Sequence, residues 1–212
     1  MNTGLQPLPK LYPIVDKATL DARGISIAAF ARELRDAGVT LIQYRDKAGA
    51  PQQILQAAEE IDAAFAGVNA TFLMNDRADL ALLAGWGVHV GHLDMTPADA
   101  RRVVGAGRKV GVSTHNEAQV MAADASDADY IAVGPVFATS TKADAEPVIG
   151  LDGVRRARAL TQKPLVAIGG ITLENARGVL DAGADSVAVI SALLLPGERP
   201  RKLAEDFLEI LR

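Results

Sequence analysis

Short apolar runs alternate along the chain with longer Ala-rich stretches of mixed polarity. The runs are LYPIV (Leu11 to Val15), TLIQYR (Thr40 to Arg45), TFLMN (Thr71 to Asn75) and VHVG (Val88 to Gly91), then KVGVS (Lys109 to Ser113), YIAVG (Tyr130 to Gly134), LVAIG (Leu165 to Gly169) and SVAVI (Ser186 to Ile190). Each is four to six residues long and nearly continuous in apolar character. That pattern suits strands buried on both faces, as in a parallel sheet. Between them, Ile25 to Ala37 repeats apolar residues at helical spacing, and Gln52 to Phe65, Leu80 to Ala84, Pro97 to Val104, Glu117 to Ala123, Leu151 to Leu160, Leu173 to Leu180 and Pro200 to Leu211 follow as further helix candidates.

Punctuation agrees with this alternation. Thr96-Pro97 reads as an N-cap followed by a first-turn proline, and Thr172 with Glu174 close behind reads as another helix start. Asp36-Ala37-Gly38, Leu83-Ala84-Gly85 and Asp181-Ala182-Gly183 each put glycine after a helix and just before a strand. Their likeness marks them as echoes of one repeated βα unit. Eight such units predict an α/β chain folded as a single closed (β/α)8 TIM barrel spanning 1–212, with 1–10 as an N-terminal extension. An open doubly wound sheet would carry GxGxxG straight after a strand. The nearest match, Gly105-Ala106-Gly107 with Gly111, precedes a strand and lacks the spacing.

Composition narrows the function. The 212 residues carry a formal charge of −4 and no basic block, which removes the footprint of a nucleic-acid binder. No cysteine is present, so disulfides, thiolate nucleophiles and Cys zinc sites are excluded. No apolar run reaches the length of a membrane span, and MNTGLQPLPK has neither a basic leader nor an apolar core. The expectation is a cytoplasmic protein with no nucleic-acid or membrane partner, its association into a homo-oligomer left open.

In such a barrel, chemistry belongs to the C-terminal ends of strands. Those ends carry Gln43-Tyr44-Arg45-Asp46-Lys47, Asn75-Asp76-Arg77, Gly91-His92-Leu93-Asp94, Ser113-Thr114-His115-Asn116, Gly134 through Lys142, Gly169-Gly170 and Ser191. Two anion sites follow. Gly169-Gly170 with Ile190-Ser191 lies after strands seven and eight, where backbone N–H groups and a helix start near Thr172 suit a phosphate. Arg45, Lys47 and Lys142 surround Asp76 and Asp94, two carboxylates of the kind that hold Mg2+ together with substrate phosphates. His89, in mid-strand, reads as a hydrogen-bonded barrel residue, and with His92 it lacks a third ligand for zinc. A Ser113, His115, Asp94 triad fails because no nucleophile elbow is present. The long polar segment 135–150 reads as a lid that excludes water.

The ordered series Gln43 to Lys47, Asn75-Asp76, Gly91 to Asp94, Val112 to His115, GPVFATSTK (Gly134 to Lys142), Ile168 to Ile171 and Ile190-Ser191 resembles the thiamine phosphate synthase family from about Leu11 to Leu194. The resemblance implies a (β/α)8 transferase acting on two small phosphorylated substrates. It would join an aminopyrimidine methyl diphosphate to a thiazole ethyl phosphate and release diphosphate. By matched position it assigns Gln43, Tyr44, Arg45, Asp46, Lys47, Asn75, Ser113 and Lys142 to the pyrimidine diphosphate, with Arg45, Lys47, Ser113 and Lys142 as the catalytic set. It assigns Thr139, Ser140, Thr141, Gly170, Ile190 and Ser191 to the thiazole phosphate, and Asp76 and Asp94 to Mg2+. One departure shows: the family usually has Gln where this chain has His92. The rivals are a thiazole tautomerase-like paralogue and a non-catalytic barrel that senses thiamine precursors. Retention of Asp76, Asp94, Arg45 and Lys47 argues against both.

Overall fold

The computed structural model describes residues 8–139 and 146–212. All eight expected strands form: β1 (Leu11–Asp16), β2 (Leu41–Arg45), β3 (Thr71–Asn75), β4 (Gly87–Val90), β5 (Val110–Thr114), β6 (Tyr130–Val133), β7 (Leu165–Ile168) and β8 (Ser186–Val189). They close in chain order into one parallel barrel, sealed where Leu11 to Pro13 of β1 run beside Val187 to Val189 of β8. The helices α1 (Lys17–Asp21), α2 (Ile27–Asp36), α3 (Pro51–Ala64), α4 (Ala78–Ala84), α5 (Pro97–Val104), α6 (Glu117–Asp124), α7 (Gly150–Leu160), α8 (Ala176–Asp181) and α9 (Pro200–Ile210) follow the strands. Thr96 caps α5 by accepting from the Asp99 amide, and Pro97 opens that helix. Gly38, Gly85 and Gly183 all take positive φ, which is why glycine recurs between helix and strand.

Strand alternation sorts the side chains into two cores. Outward residues such as Val15, Ile42, Met74, Val88, Val110, Ile131 and Val187 pack with Phe30, Ile61, Val104, Val154 and Phe207 of the helices. The other set, with Tyr12, Ile14, Leu41, Leu73, Tyr130, Ala132, Val166 and Ala188, fills the barrel itself. At the end opposite the expected site, Asp129 and Asp185 repeat one device. Each lies just before a strand, and its carboxylate accepts from the first amide of the preceding strand, Val110 or Leu165, at 2.6 and 2.7 Å. An arginine from the helix before that preceding strand completes each, Arg101 of α5 with Asp129 and Arg158 of α7 with Asp185.

One helix start needs correction. The expected start at Thr172 gives way to a turn, and α8 begins only at Ala176. Asn175 accounts for the shift: its Oδ1 accepts from the Thr172 amide at 2.9 Å while its Nδ2 donates to the Gly170 carbonyl at 3.0 Å. The side chain thus satisfies the loop's backbone before the helix can begin. The stem of the β6–α7 loop is pinned to β7, with Val136 and Phe137 amides donating to Ile168 and Gly169 carbonyls. Residues 140–145 of the expected lid lie outside the described residues. Among the described residues, no helix is long and apolar enough to cross a membrane.

Candidate active site

Two adjoining cavities open at the C-terminal ends of the strands. The first, of about 440 Å³, is walled by Arg45, Lys47, Asp76 and Asp94, with Gln43, Asn75, His89 and Ser113 deeper in the barrel. Inward parity along β2 explains its β2 set: Leu41, Gln43 and Arg45 face the barrel interior, and Arg45 at the strand end reaches the rim. Asp16, the last residue of β1, holds that arginine. Its Oδ2 accepts from Arg45 Nη1, and its Oδ1 accepts from the Thr19 amide at 2.9 Å and hydroxyl at 2.6 Å. Burial pushes the Asp16 carboxyl up, yet the bonds from Thr19 and Arg45 outweigh it and hold the group below its ordinary range. Sequence reasoning missed Asp16, although an aspartate ending an apolar strand was a signal for it.

The acidic pair sits on two loops. Asp76 has φ 61°, a conformation asparagine and aspartate tolerate better than other side chains, and its amide donates to the His89 carbonyl. Lys47 pairs with Asp76. Asp94 accepts from the Gly91 amide at 2.9 Å. Burial first, then the facing Asp76 carboxylate, pushes the Asp94 carboxyl above its ordinary range. Two oxygen-rich carboxylates repelling each other at the mouth of a cavity fit a divalent cation whose other positions are filled by ligand oxygens and water. Among the described residues no third His, Cys, Asp or Glu joins them.

Deeper in, polar groups form a continuous line. Gln43 Nε2 donates to Tyr12 Oη at 2.8 Å, and the Tyr12 and Tyr130 hydroxyls lie 2.9 Å apart. Tyr130 Oη is 2.8 Å from His89 Nδ1, and His89 Nε2 is 2.9 Å from Ser113 Oγ. Burial keeps both tyrosines protonated. Beside this line, Asn75 Nδ2 is buried with no hydrogen-bond partner among the described residues and borders the cavity, a donor placed for a ligand. Ser113 bonds His89, and His115 Nδ1 bonds the Gly134 carbonyl at 2.6 Å, so the two make no triad.

The second cavity, of about 460 Å³, shares Lys47, Asp94, Ser113 and Ile190 with the first. Its own wall brings in Thr139, Gly170, Ser191, His92 and Glu146. The chain can pass closely there because residue 170 has no side chain: at φ 62°, a Cβ would stand 2.5 Å from the Ala138 carbonyl oxygen. Of the expected set, Ser140, Thr141 and Lys142 lie outside the described residues. Two residues of the expected pyrimidine diphosphate set, Tyr44 and Asp46, border neither cavity. Tyr44 points outward into the core between strand and helix, and its hydroxyl donates to Asp46 at 3.3 Å. Asp46 in turn accepts from the Ala48 and Gly49 amides, and both residues border a separate groove beside α3.

Comparison with known proteins accords with this geometry. Residues 11–193 match the family model described as thiamine monophosphate synthase. The chain is 52% identical to a thiamine-phosphate synthase of Koribacter versatilis over 214 aligned positions, covering 100% of this chain and 99% of that one. It is 42% identical to a thiamine-phosphate synthase of Chloroflexus aurantiacus, covering 87% and 85%. A solved thiamine phosphate pyrophosphorylase from Pyrococcus furiosus superposes with a TM-score of 0.84 at 32% identity, covering 95% of each chain.

Proposed function

The chain belongs to the thiamine monophosphate synthase family, and on that premise we propose that it couples 4-amino-2-methyl-5-(diphosphooxymethyl)pyrimidine with thiazole ethyl phosphate to give thiamine phosphate and diphosphate. The observation that carries this reading is the pair of joined cavities, one lined by cations and facing carboxylates, the other by a glycine and hydroxyls. A diphosphate and a monophosphate are the ligands such neighbours suit, and the shared wall would bring the reacting methylene carbon and the thiazole nitrogen together.

Gln43, Asn75 and Ser113 would hold the pyrimidine ring by neutral hydrogen bonds in the barrel mouth. Arg45 and Lys47 would bind the diphosphate, with Lys142 expected to add a third cation. Thr139, Gly170 and Ser191, joined by Ser140 and Thr141, would hold the thiazole phosphate, with Ile190 packing between the two substrates. Asp76 and Asp94 would hold Mg2+, which when bound neutralises charge on the diphosphate oxygens.

The reaction we assign is a dissociative substitution. The bond from the pyrimidine methylene carbon to the diphosphate oxygen breaks, and its electron pair leaves with the oxygen. The electron-rich aminopyrimidine bears the resulting positive charge until the thiazole nitrogen supplies its lone pair to that carbon. Arg45 and Lys47 stabilise charge developing on the leaving oxygens, and Asp16 keeps Arg45 aimed at them. No side chain has to abstract a proton. The test is to mix both substrates with Mg2+ and measure diphosphate and thiamine phosphate together. Equimolar release supports the reading, whereas binding without diphosphate release points to the tautomerase or sensor and overturns it.

A further inference from the structure

The polar line across the barrel has a direction. Gln43 Nε2 is a donor, so Tyr12 Oη accepts from it. Tyr12 is fully buried and its own proton must go to an acceptor, which Tyr130 Oη supplies at 2.9 Å. Tyr130 then has its proton left for His89 Nδ1, at 2.8 Å. With Nδ1 accepting, a neutral imidazole carries its proton on Nε2 and donates it to Ser113 Oγ, at 2.9 Å. The opposite direction would leave the Tyr12 hydroxyl proton facing an amide that is itself a donor, inside an apolar cluster. In the favoured direction every proton shared along this line has an acceptor.

We propose that Tyr130 is a positioning residue of this enzyme: backed by Tyr12 and Gln43, it fixes His89 as the Nε2–H tautomer, so that the Ser113 hydroxyl receives from His89 and turns its own proton toward the cavity. The substrate part of this inference rests on the proposed pyrimidine site. Ser113 would then present a hydrogen-bond donor, held before the substrate arrives, to a pyrimidine ring nitrogen. None of Tyr12, Tyr130 and His89 needs to change protonation state. The chain also explains why β5 carries glycine at position 111. A Cβ there would stand 2.0 Å from Tyr130 Cζ, so the glycine makes room for the ring that directs His89.

The chain has three histidines, which makes a 15N NMR reading of their ring nitrogens practical. His115 Nδ1 faces the Gly134 carbonyl, an acceptor only, so that ring has to carry a proton on Nδ1. In the free protein at neutral pH, His89 is expected as the Nε2–H tautomer and His115 with Nδ1 protonated, an internal contrast. Tyr130→Phe should convert the His89 signal to a mixture of tautomers. It should also lower kcat/KM for the pyrimidine diphosphate about tenfold, as expected for a misdirected neutral hydrogen bond, with KM for the thiazole phosphate unchanged. An Nδ1–H tautomer for His89 in the unaltered protein would overturn the inference, and that reading needs no folded variant and no substrate. A Tyr130→Phe protein that keeps both the wild-type His89 signal and wild-type kcat/KM would overturn it as well. Failure of the unaltered protein to release diphosphate would instead sink the functional reading while leaving the tautomer result intact.

Discussion

Arg45, proposed above to bind the diphosphate, depends on a neighbour at the end of the adjacent strand. Its guanidinium would be a mobile cation at the rim if Asp16 did not hold it, and Asp16 is fixed by two bonds from Thr19. Asp16→Asn weakens a charge-assisted bond of about 1.5–3 kcal/mol, so kcat/KM for the pyrimidine diphosphate should fall roughly 10- to 100-fold. The same residue sets an acid dependence. Its folded-state carboxyl titrates below the ordinary range, so its stabilisation is present above the unfolded pKa and is lost as pH falls through the folded one. Denaturant midpoints followed from neutral to strongly acid pH should therefore decline less in Asp16→Asn than in the unaltered protein. Equal declines would show that the Asp16 bonds are not held in solution. Residue type and position along a strand made Gln43, Arg45, Asn75 and Ser113 legible in the sequence. Tyr44 entered the expected set with its motif as a block, whereas alternation along β2 turns every second side chain away from the cavity.

At the scale of elements, the strands were legible because a strand buried on both faces leaves a continuous apolar run, and no surface helix of this chain imitates one. The start of α8 was not, since Asn175 and Thr172 are both residues that cap, and only the fold decides that Asn175 spans the turn. Close packing between neighbouring strands is equally invisible in sequence. Gly111 reads as a weak strand residue, yet it leaves space for the Tyr130 ring on the next strand. Gly111→Ala should cost about 1–3 kcal/mol through overpacking, measured as a lowered denaturant midpoint at unchanged slope. An undiminished midpoint would mean that β5 and β6 separate easily. Gly170→Ala probes the other cavity. Its Cβ would press on the Ala138 carbonyl from a conformation that favours glycine, so KM for thiazole phosphate should rise about tenfold or more while KM for the pyrimidine diphosphate stays put.

The molecule as a whole separates its two ends. One rim carries Arg45, Lys47, Asp76 and Asp94, a set with facing carboxylates and a strained aspartate that does little for stability. The other carries Asp129 and Asp185, which tie strand starts together. Asp185→Ala should lower stability by about 1–2 kcal/mol and leave both KM values unchanged, because it acts only on the Leu165 amide and Arg158. This division was visible early, since polar residues accumulate where strands end rather than where they begin. What no linear reading could supply is the depth of the first cavity, where side chains from β1, β2, β4, β5 and β6 join into one hydrogen-bonded line. On the proposed function, the acidic pair and the cations of one rim together draw off a diphosphate. Turnover of Asp94→Ala, with both substrates and Mg2+ saturating and thermal stability checked alongside, tests it most directly. The expected result is a kcat lowered by orders of magnitude in a protein that melts cooperatively near the temperature of the unaltered chain. A folded Asp94→Ala enzyme with near-normal kcat would contradict it.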